Sequence, residues 1–315
     1  MTPPPVTFAT IEQATARIAP FTHRTPIFTS ATLDDETGAT VLCKAENLQK
    51  VGSFKARGAT NAVQSLPPER AARGVVTHSS GNHGQALAFA ATTRQIPAWI
   101  VMPETANPIK VAAVEAYGGN VVFCRQDERE AAAERVRMET GATLIHPFED
   151  PAVVAGQGTA ALELVEAVPD LDVVIAPIGG GGLLSGTAVV CRERLPDGEV
   201  VGAEPLAADD AFRSLHTGIR QPGVENPATI ADGLLTRIGA LPFAILSRLG
   251  AEVIPVSEEA IVAAAQFHLS RMKLLVEPSA ATPLAALRTQ PERFRGRRVG
   301  LILSGGNTDL AWLPR

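Results

Sequence analysis

The sequence is poor in what several functional classes require. Cysteine occurs three times in 315 residues, as Cys43, Cys124 and Cys191, odd in number and far apart. That pattern supports neither a disulfide framework nor a paired-cysteine metal knuckle, and it is expected of a reducing compartment. Aromatic residues make up only 4%, with one Tyr and two Trp, too few for rows of base-stacking platforms. Lys and Arg form no block and the net charge is −5, which argues against nucleic acid as the main partner. No stretch approaches the roughly 18 consecutive apolar residues of a membrane-spanning helix. The opening MTPPPVTFATIEQATARI has neither a basic start nor an apolar core, so no secretory leader is expected. The expectation is a globular cytoplasmic protein with neither nucleic acid nor membrane as partner.

What the chain does have is core-forming material. Apolar residues reach 45% and charged residues only 19%, a globular balance. At roughly 150 residues per domain the length suggests about two domains. Short β-branched runs alternate with Ala-rich stretches. Strands are expected at Val41–Ala45, Val75–His78, Trp99–Met102, Val121–Cys124, Val173–Pro177, Val200–Ala203, Val253–Val256 and Val299–Leu303. Helical spacing of apolar residues marks Asn82–Thr93, Ile109–Tyr117, Glu128–Thr140 and Val154–Ala167. Strand alternating with helix predicts an α/β fold of parallel sheets covered on both faces. No linker is visible, so one domain is expected to be inserted in the other: a smaller mobile domain over 74–148, a larger one over 1–73 and 149–315.

Strand-to-helix joints carry the chemistry. Gly179-Gly180-Gly181-Gly182 follows the run VVIAPI and precedes an apolar helix beginning near Leu183. Such a loop aims successive N–H groups at one spot, and the helix adds its positive end, which together make a phosphate cradle. The alternative is a tight turn without a ligand, although four glycines cost more chain entropy than a turn needs. No Lys-Ser/Thr follows, so it is not a Walker loop, and it does not open the first βαβ unit as a dinucleotide fingerprint would. Lys55, in Ser53-Phe54-Lys55-Ala56-Arg57-Gly58-Ala59, opens a helical stretch. The field there disfavours an ammonium and frees an amine for Schiff-base chemistry; the alternative is a solvated Lys-Arg face. His78-Ser79-Ser80-Gly81-Asn82-His83-Gly84 suits a carboxylate or is simply a capped turn. Leu303-Ser304-Gly305-Gly306-Asn307 ends the last strand, where α/β sheets place ligands, or merely closes the sheet. His146 reads as structural and His83 as no metal ligand. No GxSxG elbow supports a serine hydrolase.

In order along the chain, GSFKARGA, SSGNHGQALA, HPFEDPAVVAGQGT, PIGGGGLLSG, GAEPLAADD, TIADG, MKLLVEPSAA and LSGGN resemble the fold-type II pyridoxal-phosphate enzymes, in the serine/threonine dehydratase and serine racemase branch. The resemblance runs from about Thr10 to Leu310. It implies two open-sheet α/β domains like those of the tryptophan synthase β chain. It makes Lys55 the residue that holds pyridoxal 5′-phosphate, with Phe54 packing on the ring. Gly179, Gly180, Gly181 and Gly182, with Leu183 after them, would bind the phosphate. Asn82 would meet the phenolic oxygen and Ser304 the pyridine nitrogen. Ser79, with Ser80, Gly81, Asn82 and His83 beside it, would take the substrate carboxylate. Glu204, Ala208 and Asp210 match a divalent-cation site of two carboxylates and a carbonyl, suited to Mg²⁺, Ca²⁺ or Mn²⁺; the alternative is an acidic loop with a helix cap at Asp209 or Asp210. The likeness also suggests a homodimer. No regulatory domain is expected after Arg315, so isoleucine feedback is not expected.

The activity so implied is elimination from L-serine or L-threonine to a 2-oxo acid and ammonia. Lys55 would remove the Cα proton, and Ser80 would serve the opposite face in a racemase. Serine racemisation and hydroxyaspartate elimination are the nearest alternatives. A phosphometabolite-binding protein without covalent chemistry is the alternative from another class.

Overall fold

A computed structural model describes residues 5–79 and 81–313. Among the described residues ten strands form two sheets: β1 Ile27–Phe28, β2 Thr40–Ala45, β3 Val75–His78, β4 Ala98–Pro103, β5 Asn120–Cys124, β6 Thr143–Leu144, β7 Val173–Pro177, β8 Glu199–Pro205, β9 Glu252–Val256 and β10 Arg298–Leu303. The larger sheet has the order β1-β2-β10-β7-β8-β9 and the smaller β5-β4-β3-β6. Every pairing of these strands is parallel except β1 with β2. The four strands of the smaller sheet lie between β2 and β7 in sequence, so one α/β unit is inserted in the other.

Burial explains why these strands read as unbroken apolar runs. In β7, Val173 and Ile175 enter the core on one face of the larger sheet, while Val174 and Ala176 enter the core on the other. In the smaller sheet Val75, Ile100 and Met102 face one core, and Val76, Val101 and Cys124 the other. A strand covered by helices on both sides has no polar face to show. The three cysteines are free and buried. Among the described residues, no helix is long and apolar enough to cross a membrane.

All eight expected strands are present. The two-residue strands β1 and β6 are additional, since two residues are too short to display a period. The helix expected from Val154 begins at Pro151, because Asp150 accepts the Ala152 and Val153 N–H groups and proline is favoured at the first helical position. The core beneath the smaller sheet also recruits Val51, Ala56, Ala59, Ala62, Val63 and Val153. The helix Lys55–Ser65 thus packs under that sheet from outside residues 74–148.

Candidate active site

The carboxyl ends of β2, β10 and β7 lie side by side, with Leu303 paired to Ala45 and Leu301 to Ile175. This is where a parallel sheet presents its loops. Ser304 follows β10 and is buried, and its carbonyl accepts the Phe54 N–H at 3.0 Å. Ser53 forms an isolated antiparallel bridge with Gly305. The chain entering the helix Lys55–Ser65 is therefore clamped to the end of the central strand, which brings Lys55 and Ser304 together.

Lys55 is half-buried at the first helical position. Its Nζ donates to the Pro147 carbonyl at 3.3 Å and lies 5.0 Å from the centre of the Phe54 ring. Desolvation lowers the amine to about 8, against an opposing pull from the Glu277 carboxylate. The amine is thus far easier to free of its proton than a solvated lysine.

Beyond β7, Gly181 takes φ +89° and starts the helix Gly182–Arg194 without any side-chain cap. A Cβ on Gly180 would overlap the Phe148 ring, so only glycine fits there. The Ser185 hydroxyl, one turn into the helix, and the Gln157 Oε1 beside Gly182 are buried without a hydrogen-bond partner among the described residues. Open N–H groups, a stranded hydroxyl donor and a helix N-terminus are what a phosphate dianion satisfies. The residues present fit the phosphate of the expected cofactor.

The facing wall comes from the smaller sheet. Asn82 opens the helix Asn82–Thr93, which also lacks a side-chain cap. The Asn82 amide nitrogen donates to both Glu277 oxygens, and its Oδ1 accepts from Asn307, which also reaches the Val51 carbonyl. Ser79 Oγ accepts the Gly81 N–H at 3.3 Å. His83 is buried with its Nε2 3.1 Å from the Ile145 carbonyl, and burial pushes it down to about 3, so its ring is neutral. His146 turns the loop between β6 and the Pro151 helix: its Nδ1 accepts the Phe148 and Glu149 N–H groups, and its ring meets Phe148 edge-on. Burial lowers it to about 4, which keeps that acceptor nitrogen free of a proton. Ser80 lies outside the described residues.

Lys55, Phe54, Ser304 and Asn82 thus converge with Glu277 and Asn307, while Phe148 and Pro147 link the Lys55 amine to the glycine loop. Glu277, Asn307, Phe148, Gln157 and Ser185 were not singled out from the sequence. All five lie inside quoted motifs, but a motif does not say what its members touch.

The acidic loop is built separately. Glu204, near the end of β8, accepts the Ala211 and Phe212 N–H groups at 3.3 and 2.6 Å. The cap of the helix Asp210–Thr217 is therefore Glu204, and Asp209 makes no capping bond. Asp210 Oδ2 accepts the Ile238 N–H at 2.8 Å, and the next N–H, of Gly239, reaches the Gly180 carbonyl at 3.1 Å. Burial, with Asp210 adding to it, pushes Glu204 up to about 9, and burial also raises Asp210. Among the described residues no three His, Cys, Asp or Glu side chains gather as a metal cluster. Two buried carboxylates and a carbonyl would still suit a hard cation, which would relieve their desolvation.

A family model described as pyridoxal-phosphate dependent enzyme matches residues 18–305. The serine racemase of Dictyostelium discoideum, a solved structure, is 46% identical with a TM-score of 0.93, and the match covers 97% of this chain and all of that one (100%). The solved T.th. threonine deaminase is 44% identical with a TM-score of 0.92, covering 96% of this chain and 99% of that one. A beta-hydroxyaspartate dehydratase of Paracoccus denitrificans is 45% identical, covering 98% of each chain.

Proposed function

Because the chain belongs to the pyridoxal-phosphate dependent enzymes of fold-type II, in the serine racemase and threonine deaminase branch, we propose that it deaminates L-serine or L-threonine by β-elimination and also racemises serine. The observation that carries this reading is the half-buried Lys55 amine, lowered to about 8 and set between the glycine loop, Ser304 and Asn82. When bound, the cofactor supplies an aldehyde carbon that captures an amine and a conjugated ring that accepts the electron pair freed at Cα.

The chain's own residues do the rest. Gly179 to Gly182, Leu183 and Ser185 hold the phosphate through N–H and O–H donors. Phe54 packs against the ring. Asn82 would orient the phenolic oxygen, while the neutral Ser304 hydroxyl would meet the ring nitrogen without a full charge, which would keep the electron sink modest and suit elimination. Ser79 and the uncapped N–H groups around Gly81, Asn82 and His83 fix the substrate carboxylate. Lys55 would take the Cα proton. The β-hydroxyl would leave as water, its oxygen receiving a proton in place of the one taken from Cα. Hydrolysis of the released enamine by one water would give the 2-oxo acid and ammonia. Residues 74–148 form the smaller domain whose closure excludes water. Glu204, the Ala208 carbonyl and Asp210 would hold Mg²⁺, Ca²⁺ or Mn²⁺, and the working unit would be a homodimer.

The relative named as a hydroxyaspartate dehydratase supports 3-hydroxyaspartate as a second substrate. Its extra carboxylate would need a cation or further hydrogen-bond donors to meet it. The deciding test is reduction of the loaded protein with borohydride. The yellow colour should fade and the cofactor should stay fixed on Lys55, whereas Lys55→Ala should fold normally, retain no label and turn over nothing. Lyase activity in Lys55→Ala would end the covalent reading.

A further inference from the structure

Two residues beyond Lys55 on the same helix, Arg57 is fully buried. A half-turn and more separates the two side chains, so they leave the helix on different sides. Arg57 Nε and Nη2 grip Glu46 at 2.6 and 2.8 Å, and Nη1 and Nη2 grip Glu163 at 2.8 and 2.9 Å. The remaining Nη1 hydrogen reaches Thr159 Oγ1, and Nη2 also lies 3.3 Å from the His23 carbonyl, sharing a hydrogen there. Lys44 completes the group, donating to Glu163 at 2.6 Å and to the Thr25 carbonyl at 2.8 Å. Thr25 in turn donates to Glu46. Two cations face two carboxylates, and none of the four is more than 7% exposed.

Burying four charges is a poor route to stability, because apolar side chains of equal volume usually do as well or better. What such a network supplies is position. The Phe54–Ser304 bond and the Ser53–Gly305 bridge hold the entry to the helix, and the quartet acts on the helix beyond them. The Lys55–Ser65 helix crosses the Pro151–Ala167 helix at a smooth seam: a Cβ on Gly156 would meet the Arg57 carbonyl at 2.6 Å and Gly58 Cα at 2.8 Å, and one on Gly58 would meet the Val153 carbonyl at 2.7 Å. At such a crossing only small groups interlock, Val153 Cγ1 against Gly58 and Asn61 Cβ against Gly156. One neutral hydrogen bond, from Asn61 to the Ala152 carbonyl, ties the seam further along. Glu46 directly follows β2, whose Ala45 is paired with Leu303, the residue before Ser304.

We propose that the Lys44–Glu46–Arg57–Glu163 quartet is a register lock that holds the body of the Lys55–Ser65 helix along this seam, behind the Phe54–Ser304 bond, so that the Lys55 amine keeps its place relative to Ser304. Arg57 ties the helix to the end of β2 through Glu46 and to the crossing helix through Glu163. These four are positioning residues for the reaction proposed above, on which this inference rests. None touches the reacting atoms. Lengthwise slippage of the helix would carry Lys55 away from its target while leaving the fold in place.

The test uses the full chain with Lys44→Met/Glu163→Met, which removes one cation and one carboxylate and leaves Arg57 paired with Glu46. Covalent capture of pyridoxal phosphate at Lys55, trapped by borohydride and located by peptide mapping, should slow by about ten- to a hundredfold, the scale of an ångström's misplacement. Hydrogen exchange at the amides of 56–65 should quicken, while that of 182–194 stays as in the unmodified chain. Lys44→Arg, which keeps the pairing, should capture at close to the unmodified rate. Should the double variant fail to fold, Glu163→Asp takes its place, since a carboxylate one methylene shorter must draw the helix with it and slow capture. Equal capture rates in the unmodified and substituted chains overturn the lock. If the unmodified chain is never captured at Lys55, the covalent reading fails instead, and exchange at 56–65, which needs no cofactor, still decides the lock.

Discussion

Asn82 donates its side-chain amide to both oxygens of Glu277, at 2.9 and 3.1 Å, across 195 residues of sequence. One partner opens a helix of the smaller sheet, and the other directly precedes the helix Pro278–Thr289 of the larger unit. Burial pushes Glu277 up to about 7, with the Asn82 bond pulling the other way. A carboxyl so poised influences its neighbours by whether it is charged.

Glu277→Gln should therefore make the Lys55 amine easier to deprotonate. The Glu277 carboxylate favours the ammonium form and raises the Lys55 pKa against the lowering by burial, so its removal moves the half-point below about 8. Acylation of Lys55 in the cofactor-free chain, followed against pH, measures the shift. An unchanged or rising half-point would show that the carboxyl is already neutral there.

Gly180→Ala should cost cofactor affinity at least about tenfold and stability by about 1–3 kcal/mol, the usual range for overpacking. The new methyl overlaps the Phe148 ring, and that ring belongs to the loop whose Pro147 carbonyl holds Lys55. Cofactor titration and thermal melts check both effects. Shrinking the ring with Phe148→Leu in the same chain should restore part of each; if it restores nothing, the glycine is needed for its backbone alone.

Glu204 makes stability depend on pH and cation together. Its carboxyl ordinarily titrates at 4.5 and is pushed up to about 9 in the folded chain, so the native state favours the protonated form. The stability from that proton is complete below about 4.5 and drains away as pH rises through about 9. A cation bound only by the native state replaces it by mass action. Melting temperature in chelator should fall between about pH 6 and pH 8.5, and Mg²⁺ should restore it more at the higher pH. Glu204→Gln should flatten both trends. Identical melts with Mg²⁺ and chelator at both pH values would leave Glu204 as a helix cap and nothing more.

Ser80→Ala separates the two proposed activities. Elimination from an L-substrate needs only the Lys55 face of Cα, whereas racemisation needs a proton donor on each face. The variant should lose most serine racemisation and turnover of D-serine while keeping much of its L-serine elimination. Chiral chromatography of serine after incubation with either protein reads the difference. Equal loss of both activities would make Ser80 a carboxylate-positioning residue.

Much of this site was legible along the chain, and the reason is local. Gly179 to Gly182, Asn82 and Ser304 sit where a β-branched run gives way to glycine and small polar residues, and that change of composition marks the carboxyl end of a strand; Lys55 was marked instead by its place at the start of a helical stretch. Glu277 carries no such mark: its importance comes from Asn82, 195 positions earlier. Asn307 likewise matters because it reaches Asn82 across 225 positions and Val51 across 256. Arg57 looked like half of a solvated Lys-Arg face, since adjacency in sequence does not reveal that a helix start lies between two cores. The ring of Phe148 gains meaning only from the bare side of Gly180 that it covers, and the Ser185 hydroxyl only from being buried without a partner among the described residues.

The place of β10 between β2 and β7 has a consequence for how the protein is made. The smaller sheet is complete once residue 144 has been synthesised, and it can assemble while the rest of the chain is still being added. The larger sheet has a vacancy at its centre until residues 298–303 arrive, because its first strands and its later ones meet only through β10. Ser304 and Asn307 come later still. Half-made chains therefore hold Lys55 and the glycine loop on strands with unpaired edges, exposed to aggregation, and the site comes together only after the ribosome has delivered β10.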